Sequence, residues 1–300
     1  MKLSPILLFV YNRPYHTKQT IEALQKNDLA KESKIFIYSD APKNESANQG
    51  VEEVRSYIKS IDGFKDITII EREKNFGLAD SIIDGVSEIV NRYGKVIVLE
   101  DDLVTSPYFL RFMNEALEFY EENDEIYSIT GFNYPLKIDK NYNYGIFLYP
   151  RVSSKSWAIW KNKWSEIEFD ISKISIKWDI KEIKKKLDLY GKDLYYMYLA
   201  QLDKRIDSWA IRFAINQIML NKYTVYPIKS YVKDIGDDSG THANKSLPHK
   251  IILSDYINCD FTDKYNNDIA KLYSDYLKRY FFRAKIHALK NKILRLFNVG

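Results

Sequence analysis

The chain has 300 residues, 45% hydrophobic and 29% charged, with 45 Lys and Arg against 41 Asp and Glu. That size supports one large domain or two small ones, burying roughly 75% of the unfolded surface without covalent staples. The single cysteine, Cys259, excludes an internal disulfide, and no apolar run reaches the roughly 18 residues of a membrane span, so a cytoplasmic protein is expected.

The opening stretch MKLSPILLFVYNRP has a short apolar run that ends in Asn12-Arg13-Pro14 without a small-residue cleavage site, which argues against a secretory leader. PILLFVYN (5–12) reads as a buried strand. Pro14 suits the first turn of a helix with Thr17, Thr20, Ile21 and Leu24 on one face. KIFIYSD (34–40), VEEVRSYIKSI (51–61) and DITIIE (66–71) continue as strand, helix and strand. A helix follows from about Leu78 to Tyr93, stopped by Gly94, and then the strand KVIVLE (95–100). Four strands with helical crossovers predict an α/β, doubly wound, mostly parallel sheet.

The second half is less regular. A Trp/Tyr-rich segment spans 142–164, and Trp157, Trp160 and Trp164 stand at i, i+3 and i+7, the spacing of a helical stripe. Such a stripe fits core packing or sugar stacking. A charged helical stretch (178–189) precedes DSWAIRFAINQIMLN (207–221), read as a helix. Residues 223–246 read as part strand and part loop, and helix returns from about Asp268 to the end. There is no internal repeat and no long flexible linker.

In open parallel sheets ligands bind beyond the carboxyl ends of the strands. Here those ends carry Asn12-Arg13, Asp40, Arg72 and the cluster Glu100-Asp101-Asp102. Three adjacent carboxylates repel one another unless something positive arrives. A following helix N-terminus offers a partial charge; a hard divalent ion, Mg²⁺ or Mn²⁺, offers more, and takes carboxylates together with substrate phosphates. Both readings, solvated turn acids and metal site, stand on the cluster alone. The chain has no GxxxxGK[ST] and no GxGxxG after the first strand, which excludes a P-loop hydrolase and argues against a dinucleotide enzyme. A nucleotidyltransferase would want a glycine-rich loop where the chain reads YNRPYHTK.

Charge is concentrated at the end. Residues 278–295 hold seven Lys or Arg and no acid, and removing them from the net +4 leaves the rest formally at about −3. Phe281, Ile286, Leu289, Ile293, Leu296 and Phe297 thread through it. A basic amphipathic helix of this kind suits an anionic membrane surface through 278–297, or is a solvated helix face. Nucleic acid is not expected, because the body carries no matching basic patch.

Six segments in order, FVYNRP, YSDAPK, EREKNFGLADSI, VIVLEDDLVTSPYFLRFMNEAL, SKSWAIWKNKW and DSWAIRFAINQ…YTVYP…VKDIGDDSGTH, resemble bacterial glycosyltransferases of the GT-A fold. These are family 2-like sugar transferases, similar in their acidic motif to N-acetylglucosaminyltransferase I. The resemblance runs over roughly residues 5–245. It implies a GT-A domain with a Rossmann-like sheet flanked by helices, assigned to 1–265, while the charge and helical pattern of the chain end give a basic amphipathic C-terminal helical tail over 266–300. It implies a metal-dependent, inverting hexosyltransferase that uses a nucleotide-diphospho-sugar donor and a glycan or lipid-linked glycan acceptor in surface polysaccharide synthesis; docking on the inner, cytoplasmic membrane face is expected from the charge and pattern of the tail rather than from the resemblance. By the resemblance Asn12, Arg13, Asp40, Arg72, Asn75, Gly77, Glu100 and Asp101 face the donor, and Asp102 and His242 serve the Mn²⁺ or Mg²⁺ ion. Asp207 is the general base, and Trp157, Trp160 and Asp238 lie on the acceptor side. The rival from another class is a non-catalytic sugar-binding protein on the same scaffold, which would have no need of Asp102 and Asp207.

Overall fold

A computed structural model describes residues 2–236 and 251–297, with side chains described through Arg283. The first half alternates as the apolar runs predict: β1 (Ile6–Val10), α1 (Pro14–Gln25), β2 (Lys34–Ser39), α2 (Asn48–Ile58), β3 (Asp66–Glu71), α3 (Leu78–Tyr93) and β4 (Lys95–Glu100). Pro14 opens α1, where its missing N–H costs nothing. Gly77 (φ +73°) and Gly94 (φ +85°) bound α3, and the Gly94 N–H closes the last turn on Val90 O. Strands β1, β2, β3 and β4 are mutually parallel in the order β3-β2-β1-β4.

Beyond β4 come β5 (Leu103–Thr105), α4 (Phe109–Phe119), β6 (Ile126–Thr130), β7 (Ile146–Tyr149) and β8 (Trp157–Trp160). Six helices and two strands complete the described residues: α5 (Lys161–Ser165), α6 (Ile171–Lys177), α7 (Ile180–Tyr190), α8 (Lys192–Leu202), α9 (Trp209–Met219), β9 (Tyr223–Pro227), β10 (Val232–Asp234) and α10 (Asn267–Phe297). The main sheet has eight strands in the order β3-β2-β1-β4-β8-β6-β9-β7. β8 runs antiparallel to β4 and β6, and β7 antiparallel to β9, so the sheet is mixed. A separate ribbon pairs β10 with β5.

Side chains alternate across the sheet and build a core on each face. Ile6, Leu8, Ile97, Leu99, Ala158 and Trp160 pack toward α1, α2 and α4. Leu7, Phe9, Val96, Val98, Trp157 and Ile159 pack toward α3, α7 and α9. A third cluster seats Ile269, Ala270, Tyr273 and Leu277 of α10 on Phe147, Tyr149 and Tyr226, so the helix that begins the tail shares a core with β7 and β9.

The tryptophans require a correction. Trp157 and Trp160 lie on strand β8, not on a helix, and three residues apart on a strand means opposite faces. Trp160 donates its indole N–H to Leu117 O at 3.1 Å inside one core. Trp157 is 1% exposed in the other core, its ring 4.8 Å from Trp209 and 5.7 Å from Trp164. Neither presents a ring to an acceptor; both are packing residues. Trp157→Ala is therefore expected to cost about 3–5 kcal/mol in urea unfolding, the range for deleting a large buried ring. A loss below about 1 kcal/mol would contradict the core assignment.

Candidate active site

The site edge is built from strand ends. The carboxyl ends of β1, β2, β3, β4, β6 and β9 share it with the amino ends of the reversed β8 and β7. Four buried apolar residues, Val96 to Leu99, carry β4 to that edge and deliver Glu100, Asp101 and Asp102 there. Arg13, at the start of α1, answers them. Its Nη2 donates to Asp101 and, at 2.8 Å, to Asp102 Oδ2. The Tyr11 N–H reaches Asp101 at 3.3 Å. Thr20 Oγ donates to Asp101 O at 2.9 Å and accepts from the Leu103 N–H at 3.1 Å, stitching the acidic turn to α1.

Electrostatics follow from that crowding. Burial, then repulsion from Asp102 and Asp101, pushes Glu100 up to about 8. Burial pushes Asp101 up to about 6 even though Arg13 opposes it. Burial works against the Arg13 guanidinium, but Asp101 and Asp102 outweigh it and raise its pKa. The donors are hard carboxylate oxygens, the type that suits Mg²⁺ or Mn²⁺. Among the described residues no three His, Cys, Asp or Glu converge into a closed metal set. Asp101 and Asp102 are the carboxylates at this edge that share one cationic partner, Arg13.

The second strand end organises a loop. Asp40 accepts from the N–H groups of Ala41 (2.9 Å), Phe76 (2.9 Å) and Gly77 (3.0 Å), and from Asn75 Nδ2 at 3.0 Å. Asn75 also donates to Ala41 O at 2.6 Å. Asp40, Asn75 and Gly77 are thus brought together as one folded unit at the β2 and β3 ends. Arg72 lies 3.9 Å over the Phe76 ring and pairs with Asp84. Asn12 carries its backbone carbonyl against Gly50, where any Cβ would collide with it.

On the far side, Ser208 caps α9 by accepting from the Ile211 N–H at 3.4 Å. Asp207, one residue earlier, is not the cap: its side chain is 63% exposed and pairs with Arg212. Trp209 stacks on Trp157, which pairs with Val98 of β4, and this sets the amino end of α9 toward the site edge. His242 and Asp238 lie outside the described residues. The segment leading to them is held, since the Ile235 N–H donates to Asp102 O at 2.9 Å. A Cβ on Gly236 would strike the Asp102 carboxylate.

Three further residues at this edge, Lys155, Asp234 and Arg55, are not among those the sequence singles out. Lys155 pairs with Asp234 at 2.6 Å, bringing the amino side of β8 and the end of β10 together. Arg55 of α2 donates to Ser39 O (3.3 Å) and Arg72 O (2.8 Å), tying the β2 and β3 ends. A lone arginine directly after the buried Val54 of an amphipathic helix is the clue that could have flagged it.

Residues 6–173, more than half of the chain, match the model of glycosyl transferase family 2. The chain belongs to that family. The matched span runs from β1 into α6 and contains the whole acidic cluster and the Asp40 loop. Among solved structures it is similar to a mannosyltransferase from Pyrobaculum calidifontis, in complex with GDP-Man and Mn²⁺, at 11% identity and TM-score 0.47, covering 81% of this chain and 61% of that one. It is also similar to S. aureus TarS 1-349 in complex with UDP-GlcNAc, at 13% identity and TM-score 0.38, covering 76% of this chain and 57% of that one. The chain thus spans about six-tenths of the length of these proteins. No curated protein matches it.

The raised Glu100 carboxyl makes stability depend on pH. At pH values below its ordinary 4.5, Glu100 holds its proton folded or unfolded and costs nothing. As pH rises from 4.5 toward 8 the unfolded chain releases that proton first, so the folded state loses stability across the window. Glu100→Gln keeps the neutral form. With chelator present it is expected to be more stable than wild type at pH 8.5 by on the order of 1–3 kcal/mol, and equal to it at pH 4. Melts showing the same difference at both pH values would contradict the burial argument.

Proposed function

We propose that this chain transfers a sugar from a nucleotide-diphospho-sugar to a hydroxyl of a glycan or lipid-linked glycan, with inversion, in polysaccharide assembly. The observation that carries the reading is the acid cluster delivered by β4 to the edge of a family 2 sheet, in contact with Arg13. Asp102, with Asp101 beside it, would hold a Mg²⁺ or Mn²⁺ ion, and such an ion when bound neutralises charge on a departing diphosphate. Asp40, through the Asn75–Gly77 loop, and Arg72, over Phe76, shape the side where the nucleotide would lie. Asp207 is the group assigned to take the proton from the acceptor hydroxyl, and its exposure leaves the carboxylate open to an incoming substrate.

Two substitutions separate these roles. With UDP- and GDP-sugars as the calorimetric panel and Mn²⁺ present, Asp102→Asn is expected to abolish cation-dependent donor binding while the fold persists. Asp207→Asn is expected to lower turnover by about 10²–10⁴-fold with donor affinity nearly unchanged, the range for losing a general base. Unaltered donor affinity in the first, or near wild-type transfer in the second, would refute the corresponding assignment.

The same reading places the chain on a membrane that carries a lipid-linked acceptor. No helix among the described residues is long and apolar enough to cross a bilayer, so the contact would be peripheral. Support comes from the seven cations of 278–295 and from Phe282, which is 67% exposed although the earlier turns of α10 are packed on the sheet. Each cation near an anionic surface is worth about 1 kcal/mol. Full-length protein should float with anionic vesicles at low salt, less at high salt, and a 1–277 truncation should not. Equal flotation of both, or of neither, would remove this part of the reading.

A further inference from the structure

We propose that Arg13 keeps the cation position closed until a diphosphate arrives, so that ion and donor bind together rather than the ion first. The proposal rests on the reading that the ion is held at Asp102. Arg13 Nη2 bonds Asp102 Oδ2 at 2.8 Å and Asp101 at the same time, so the guanidinium covers oxygens that an ion would take. A guanidinium stays charged at any working pH, so no proton loss relieves the competition. What relieves it is another anion for the guanidinium. Arg13 has donor capacity for one, since its Nη1 is buried without a hydrogen-bond partner. A phosphate matches the forked geometry of an arginine, which a carboxylate pair bridged through one nitrogen does not fully use.

The movement required is local. The backbone of Arg13 is fixed, its carbonyl accepting from both the Thr17 N–H and Thr17 Oγ at 2.9 Å. Only the side chain has to swing. Leaving Asp101 and Asp102 with neither Arg13 nor an ion would strand buried charge, so the exchange is one for one. Arg13 is in this sense a positioning residue that sets the order of binding.

The test measures free Mn²⁺ by electron paramagnetic resonance during titration of full-length wild type, Arg13→Gln, Arg13→Lys and Asp102→Asn, with and without UDP or GDP. Without nucleotide, Arg13→Gln is expected to bind Mn²⁺ at least about ten-fold more tightly than wild type. Arg13→Lys, which keeps the charge and loses the fork, should fall between them. Nucleotide should tighten Mn²⁺ binding to wild type by a larger factor than to Arg13→Gln. Thermal melts of the same proteins guard against misfolding, because Mn²⁺ should raise the Tm of Arg13→Gln more than that of wild type. If both Arg13 variants match wild type without nucleotide while Asp102→Asn loses nucleotide-supported binding, the gating role is wrong and the cation site stands. If no protein binds Mn²⁺ even with nucleotide, the cation site is wrong and the gating role falls with it.

Discussion

Three carboxylates on consecutive residues, driven to the rim of a buried sheet by the apolar strand behind them, are the condition to which the rest of the site responds. Left alone they would repel, and burial would worsen the repulsion. Arg13 supplies the opposing charge from the start of α1, and Thr20 fastens the acidic turn to the same helix. The first helix is therefore both a crossover of the parallel sheet and the clamp on its acidic end. Even so the charge is incompletely balanced, as the raised Glu100 and Asp101 carboxyls record. In the proposed function a bound cation would answer the charge that Arg13 leaves unbalanced.

The first half of the fold was legible in the sequence because its physics is local. Strands covered on both faces read as unbroken apolar runs, and ILLFV, KIFIYS and KVIVLE are such runs. Pro14, Gly77 and Gly94 mark helix ends for conformational reasons that need no tertiary context. The strand ends then placed Arg13, Asp40, Arg72 and Asp102 on one edge without any coordinates.

The other half was misread where short elements abut. WAIW is a four-residue strand that passes directly into the five-residue helix α5, so tryptophans at helical spacing straddle two kinds of structure. Periodicity over eight residues has no power to separate those cases. The partners of Asp40 were equally out of reach: three of its four donors come from a loop some 35 residues away, and no sequence pattern announces that a carboxylate is already engaged. Asp207 shows the reverse problem, since its neighbour Ser208 takes the capping role that aspartate favours.

The reversed strand β8 changes what borders the acidic rim. On one side of β4 the edge is made of carboxyl ends joined through helices, whose spacing is fixed by the parallel ladder. On the other side β8 brings its amino end, and with it the connection from β7 that contains Arg151 and Lys155. That connection is anchored rather than loose: Val152 and Ser156 are buried, Arg151 pairs with Asp193 at 2.6 Å and Lys155 with Asp234 at 2.6 Å. A change of length there would strip two half-buried carboxylates of their cations, so the reversed strand is tied to the helices and the ribbon on its own side as firmly as the parallel strands are tied to theirs.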